Sequence, residues 1–159
     1  MERELNMSNS TNSVRLHRIL RAPIERVYHA FLDADALCRW LPPYGFLGKI
    51  DRIDVREGGG FHMSFTNFET GQSHGFESTF IELVPNQRIR LADRFDDPAW
   101  AADMTKIITL RTVSCGTELE ILHEGFPEFI PLDMCYHGWQ ESLLQLAQLV
   151  EHAMPTEKE

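Results

Sequence analysis

Residues 136–153, YHGWQESLLQLAQLVEHA, constrain the fold more than any other stretch of this chain. Wound at 3.6 residues per turn, they place Trp139, Leu143, Leu146, Val150 and Ala153 on one face. Glu141, Gln145, Gln148 and His152 fall on the opposite face. A helix with one apolar stripe needs an apolar surface to lie on, because isolated helices of this length are marginal in water. What precedes it must therefore supply that surface, either closely packed or with room left between.

The preceding segments are strands. VRLHRIL (14–20) alternates imperfectly. IDRIDV (50–55), FHMSF (61–65), HGFESTFIELV (74–84), IRLADRF (89–95), KIITLRTV (106–113) and TELEILHE (117–124) follow, separated by Gly, Pro and Asn turns. Two short helices interrupt the series after the first strand. Pro23 suits the first turn of one, which carries Ile24, Val27, Tyr28 and Phe31. Asp33 is the expected N-cap of the other, which carries Leu37, Trp40 and Leu41 before Pro42-Pro43 stops it. Strands grouped together, rather than alternating with helices, predict an α+β chain with an antiparallel sheet of about six or seven strands. Pro131 opens the long closing helix.

Bulk properties exclude several function classes. A chain of 159 residues suggests one domain, and no repeat is visible. With 24 acidic and 15 basic residues the net charge is −9, which repels phosphate backbones, so no nucleic-acid partner is expected. No apolar run approaches the ~20 residues of a membrane span. The three cysteines, Cys38, Cys115 and Cys135, are far apart, which fits a reducing cytoplasm better than a disulfide scaffold. MERELNMSNSTNS lacks the apolar core of a secretory signal, so residues 1–13 are expected to be a polar, disordered tail. Residues 154–159 are expected to be another polar tail, leaving 14–153 as the domain.

RAPIERVYHAFLDADALCRWLPPYGF (21–46) resembles the opening of the activator-of-heat-shock-protein-90-ATPase-like family, within the START-like or SRPBCC superfamily. Further matches follow in order: D-V-R-E-G-G-G at 54–60, E-L-V-P at 82–85, G-T-E-L at 116–119 and H-E-G-F at 123–126. G-W-x-x-S-L-x-x-L on Gly138, Trp139, Ser142, Leu143 and Leu146 completes the set. Each motif alone is weak, but their order and spacing are specific. The resemblance implies a helix-grip fold, a curved antiparallel sheet wrapped around the C-terminal helix with an elongated apolar cavity between them. The small residue usual before E-x-x-P is Ser78 here, with Gly75 displaced upstream.

Most of these motifs read as fold determinants. Gly58-Gly59-Gly60 relieves a turn, and Gly138 beside Trp139 is expected to let the helix approach the sheet closely. Pocket candidates come from inward-facing positions and from aromatics at the ends: Trp40, Phe61, Met63, Phe65, Phe76, Phe80, Phe95, Trp100, Ile108, Ile121, His123, Cys135, Trp139 and Leu143. They could equally interdigitate into a solid core. His123 and Asp93 also face inward and are weak candidates for an acid–base pair; a backbone-bonded His123 and a solvated Asp93 are the plainer alternatives. Cys135 reads as a small hydrophobe. No H-x-x-x-H or H-E-x-x-H spacing exists, so no metal is expected, and the triple glycine lacks the Lys and Ser/Thr of a phosphate loop.

The expected function is binding of a small apolar or amphipathic ligand between helix and sheet, lipid included, with no cofactor. Regulation of a chaperone ATPase in a stress response, as the family name implies, is one alternative. A polyketide-cyclase-like enzyme is another, ranked lower because no strong catalytic constellation is present. Trp100, in the acidic loop DDPAWAAD, is expected as a lid, an outer-core cap or a dimer contact.

Overall fold

The computed structural model describes residues 12–100 and 102–151; nearly all of both expected tails, together with His152 and Ala153, lie outside those residues. In chain order the elements are β1 (Ser13–Leu20), α1 (Ile24–Ala30), α2 (Ala34–Trp40), β2 (Phe46–Asp54) and β3 (Gly60–Asn67). Then come β4 (Ser73–Val84), β5 (Arg88–Phe95), β6 (Met104–Val113), β7 (Gly116–Glu124) and α3 (Leu132–Val150). The seven strands form one antiparallel sheet in the order β1-β7-β6-β5-β4-β3-β2. Register shifts at Asp51 and Ile81 mark bulges, which bend a sheet locally. This is the expected α+β helix-grip architecture, an open curved sheet gripping α3.

The apolar stripe of α3 is buried as its spacing requires: Trp139, Leu143, Leu146 and Val150 lie in the core. Burying each such side chain contributes roughly 1.5–3 kcal/mol, enough to hold a helix that propensity alone would not. Helices α1 and α2 close one end of the groove. The Asp33 carboxylate accepts from the Asp35 N–H at 3.0 Å, capping α2 as expected. The Trp40 indole N–H donates to the Ala30 carbonyl at 2.9 Å, and its ring meets Phe31 edge-on at 4.9 Å.

Three local expectations are corrected. Strand β2 begins at Phe46 rather than Ile50. Gly48 hides the alternation there: a Cβ on it would lie 2.7 Å from Pro42 and 2.9 Å from Met63, so only glycine fits under the end of α2. Glu141 and Gln145, placed on the polar face, turn back on the segment after α2. The Gln145 amide donates to the carbonyls of Trp40 (3.0 Å) and Pro42 (2.7 Å), and Glu141 accepts from the Tyr44 N–H at 3.0 Å. Gly138 does not serve close approach, since a Cβ built on it would meet nothing within 4 Å.

Candidate functional site

Alternation along β4–β7 turns Phe76, Ser78, Leu91, Asp93, Met104, Lys106, Ile121 and His123 towards α3, and all eight are buried. Register then assembles the polar members. Ser78 pairs directly with Asp93, Lys106 pairs directly with His123, and Leu91 opposite Lys106 puts Asp93 on the diagonal. The Ser78 hydroxyl donates to Asp93 Oδ1 at 2.5 Å, and Lys106 Nζ lies 3.1 Å from Asp93 Oδ2. The ammonium also faces the rings of Phe76 and Trp139 at 5.9 and 6.0 Å. Such a buried pair adds little net stability over apolar residues of the same volume, so it is a poor candidate for a mere staple.

His123 receives the Trp139 indole N–H on Nδ1 at 3.0 Å. An indole only donates, so Nδ1 is the acceptor and Nε2 carries the proton of the neutral ring. Burial first, and the Lys106 charge second, hold this histidine well below the ordinary 6.5. Nε2 has no hydrogen-bond partner among the described residues; Asp93 Oδ2, at 3.9 Å, is too far. Phe126 packs tilted against the imidazole at 4.3 Å.

Beside this polar corner lies a cavity of about 210 Å³ between α3 and the sheet. Phe65, Phe76, Phe95, Met104, Phe126, Leu41 and Pro43 form most of its wall. Met134, Cys135, Gly138, Trp139 and Ser142 close it from the helix, and Asp93, Lys106, His123 and His74 complete it. The Ser142 hydroxyl does not serve the cavity; it donates to the Leu41 carbonyl at 2.6 Å.

Of the ligand-contact candidates, Phe65, Phe76, Phe95, His123, Cys135 and Trp139 line this cavity, as does Asp93. Trp40, Phe61 and Ile108 instead surround a gap of only about 10 Å³ at the closed end. Met63, Phe80, Ile121 and Leu143 are core and touch neither space. Trp100 ends a 3-10 turn (Pro98–Trp100) outside the cavity. It stacks on His74 at 4.8 Å and meets Phe95 and Phe129 edge-on, so it braces two wall residues from behind. Lys106, Met104 and Phe126 were missed. Lys106 was legible in principle, because it continues the Leu110–Ile108 face by the same period of two.

Other titratable groups are differently placed. The Cys135 thiol is pushed up to about 11, by burial and then Asp133, which removes nucleophilic character. His62 Nε2 meets Asp96 at 2.7 Å and Nδ1 meets Asp51 at 2.9 Å on the opposite side of the sheet. Among the described residues one trio of metal-ligand types, His17, Glu118 and Glu120, lies within 4.8 Å on an exposed face. His17 and Arg111 already pair with the Glu118 carboxylate, so it reads as a surface ion-pair group. No helix of the described residues is long and apolar enough to cross a membrane.

The family model described as activator of Hsp90 ATPase homolog 1-like protein matches residues 21–151. A protein of solved structure from Chromobacterium violaceum is 54% identical, with 89% of this chain and 99% of that chain covered and a TM-score of 0.88. One from Nitrosomonas europaea is 25% identical over 92% of this chain and 96% of that one, with a TM-score of 0.73. An AHSA1-like protein from Aeromonas hydrophila shares the fold at 20% identity, covering 87% and 92% of the two chains at a TM-score of 0.71. Among curated proteins none matches this chain.

Proposed function

Because the chain belongs to the activator of Hsp90 ATPase homolog 1-like family, we propose that it acts as a START-like binding domain for a small apolar or amphipathic ligand held between α3 and the sheet. The observation that carries this reading is the hollow of about 210 Å³ lined by aromatic side chains. An apolar cavity of roughly 150 Å³ already accepts benzene, so a compact ring compound with a short substituent matches the space. A void this size forfeits packing energy, at roughly 24 cal/mol per Å³, which a bound guest recovers.

Binding without turnover is favoured over acid–base catalysis by the same geometry. Both Asp93 oxygens are engaged by Ser78 and Lys106, and His123 is held neutral, so neither is poised to move a proton. A thermal-shift screen of small aromatic and alicyclic compounds, followed by native mass spectrometry, tests the reading. Saturation at a hundred times Kd should stabilise the protein by about 2.7 kcal/mol. A screen in which no apolar ring compound shifts the melting curve or adds mass would remove it.

A further inference from the structure

The polar corner of the cavity presents a buried donor, His123 Nε2–H, with no acceptor among the described residues. Lys106 has three N–H bonds and one acceptor, Asp93 Oδ2, among the described residues. His123 adds a fourth donor, the partnerless Nε2–H fixed by the indole bond to Nδ1. On the other side, Asp93 Oδ1 is taken by Ser78 and Oδ2 by Lys106, and Nδ1 of His123 is taken by Trp139. Each of these acceptors already takes one hydrogen bond, whereas the buried Nε2–H of His123 has none among the described residues. A buried donor left without a partner is costly, so the guest that fits best brings a lone pair to this corner.

Charge narrows the class further. Lys106 and Asp93 sum to zero, and the neutral His123 adds nothing. An ionised carboxylate would meet Asp93 in a desolvated site with no net positive charge to offset it. An ammonium would meet the Lys106 charge and, having no lone pair, leave the His123 Nε2–H unpaired. Resting on the binding function proposed above, we infer that the ligand is a neutral carbonyl compound whose oxygen accepts from Lys106 and His123 while its compact apolar body lies against Phe65, Phe76 and Phe95.

Four compounds of nearly equal size separate the cases: ethylbenzene, acetophenone, benzoate and benzylamine, titrated at pH 7.5 by calorimetry. Acetophenone is expected to bind roughly ten- to a hundredfold more tightly than ethylbenzene, the scale of a hydrogen bond to a charged donor, and more tightly than either ion. The double variant Asp93→Leu/Lys106→Met exchanges the pair for apolar groups, and it should lose most of the preference for acetophenone over ethylbenzene. Carbonyl-labelled acetophenone gives a second readout on the unaltered protein, a downfield carbon-13 shift on binding, should that variant fail to fold. Equal affinity for ethylbenzene and acetophenone, with no carbonyl shift, overturns the acceptor while leaving cavity binding intact. Tightest binding of benzoate overturns neutrality. If none of the four binds, the inference is overturned, and the thermal-shift screen decides the binding function separately.

Discussion

The two ends of the helix–sheet interface are built from the same strands and the same helix, yet one is solid and the other hollow. At the closed end Phe31, just after α1, and Leu37 and Trp40 from α2 press onto Phe61, Leu91 and Ile108, leaving about 10 Å³. At the open end neither α1 nor α2 lines the space between α3 and β4–β7, and about 210 Å³ remains. Leu41, Lys106 and Trp139 border both spaces and act as the partition. The difference teaches that the cavity is not loose packing spread through the core. It is the portion of a groove that two short helices fail to fill.

That contrast can be broken most directly by truncation. Trp40→Ala at the closed end should cost about 3–5 kcal/mol in urea unfolding. Phe95→Ala on the cavity wall, where the ring is only partly buried, should cost roughly 1–2 kcal/mol. Equal costs would mean that both ends are packed alike. At the partition, Asp93→Ala should cost about 3–5 kcal/mol by leaving Lys106 buried and unpaired, whereas the Asp93→Leu/Lys106→Met double variant should unfold near the parent midpoint. A double variant as unstable as the single one would mean that the ion pair is itself a fold determinant.

Gly138 sharpens the comparison in the opposite direction. It lies within α3 and its missing side chain faces open space. Gly138→Ala should therefore stabilise the protein by about 0.5–1 kcal/mol, the helix-interior gain over glycine. Gly138→Leu should fill the hollow and abolish ring-compound binding in calorimetry without unfolding the chain. Unchanged binding in that variant would place the ligand elsewhere.

The smallest expected effect is on pH dependence, where two histidines on opposite faces of the sheet act with opposite sign. His62 is raised above 6.5, first by its bond to Asp96 and then by Asp51. It binds more protons folded than unfolded, so its contribution is full below 6.5 and is lost as pH rises through the elevated value. His123 is lowered by burial and by Lys106, so the unfolded chain binds more protons and stability is lost as pH falls below 6.5. Urea midpoints from pH 5 to 8 should show His62→Gln removing the alkaline-side loss and His123→Phe removing the acid-side loss. Identical profiles for the two variants would contradict both assignments.

Much of the architecture was legible because periodicity is a local signal. The α3 stripe, the Asp33 cap and six of the seven strands follow from spacing and turn residues. The exception, the start of β2, was hidden by Gly48, whose role depends on Pro42 and Met63 and not on its neighbours in sequence. The site was less legible. Alternation points His123 and Asp93 inward, and it points Lys106 inward as well, although a charge among Ile and Leu reads as solvated until its Asp93 partner is in place. Ser78, noted only as a departure from the family pattern, is the group that occupies Asp93 Oδ1.

The residues alone determined which side chains share a face, because a period of two or of 3.6 belongs to the backbone and needs no partner. They could not decide which inward side chains meet one another and which leave space. That depends on register across four strands and on how far α1 and α2 reach along the groove, and both are settled only when distant segments pack. Trp40 and Phe95 look alike in sequence, apolar rings at the end of an element. One fills its surroundings and the other borders a hollow, because α2 lines the space beside Trp40 and does not reach the one beside Phe95.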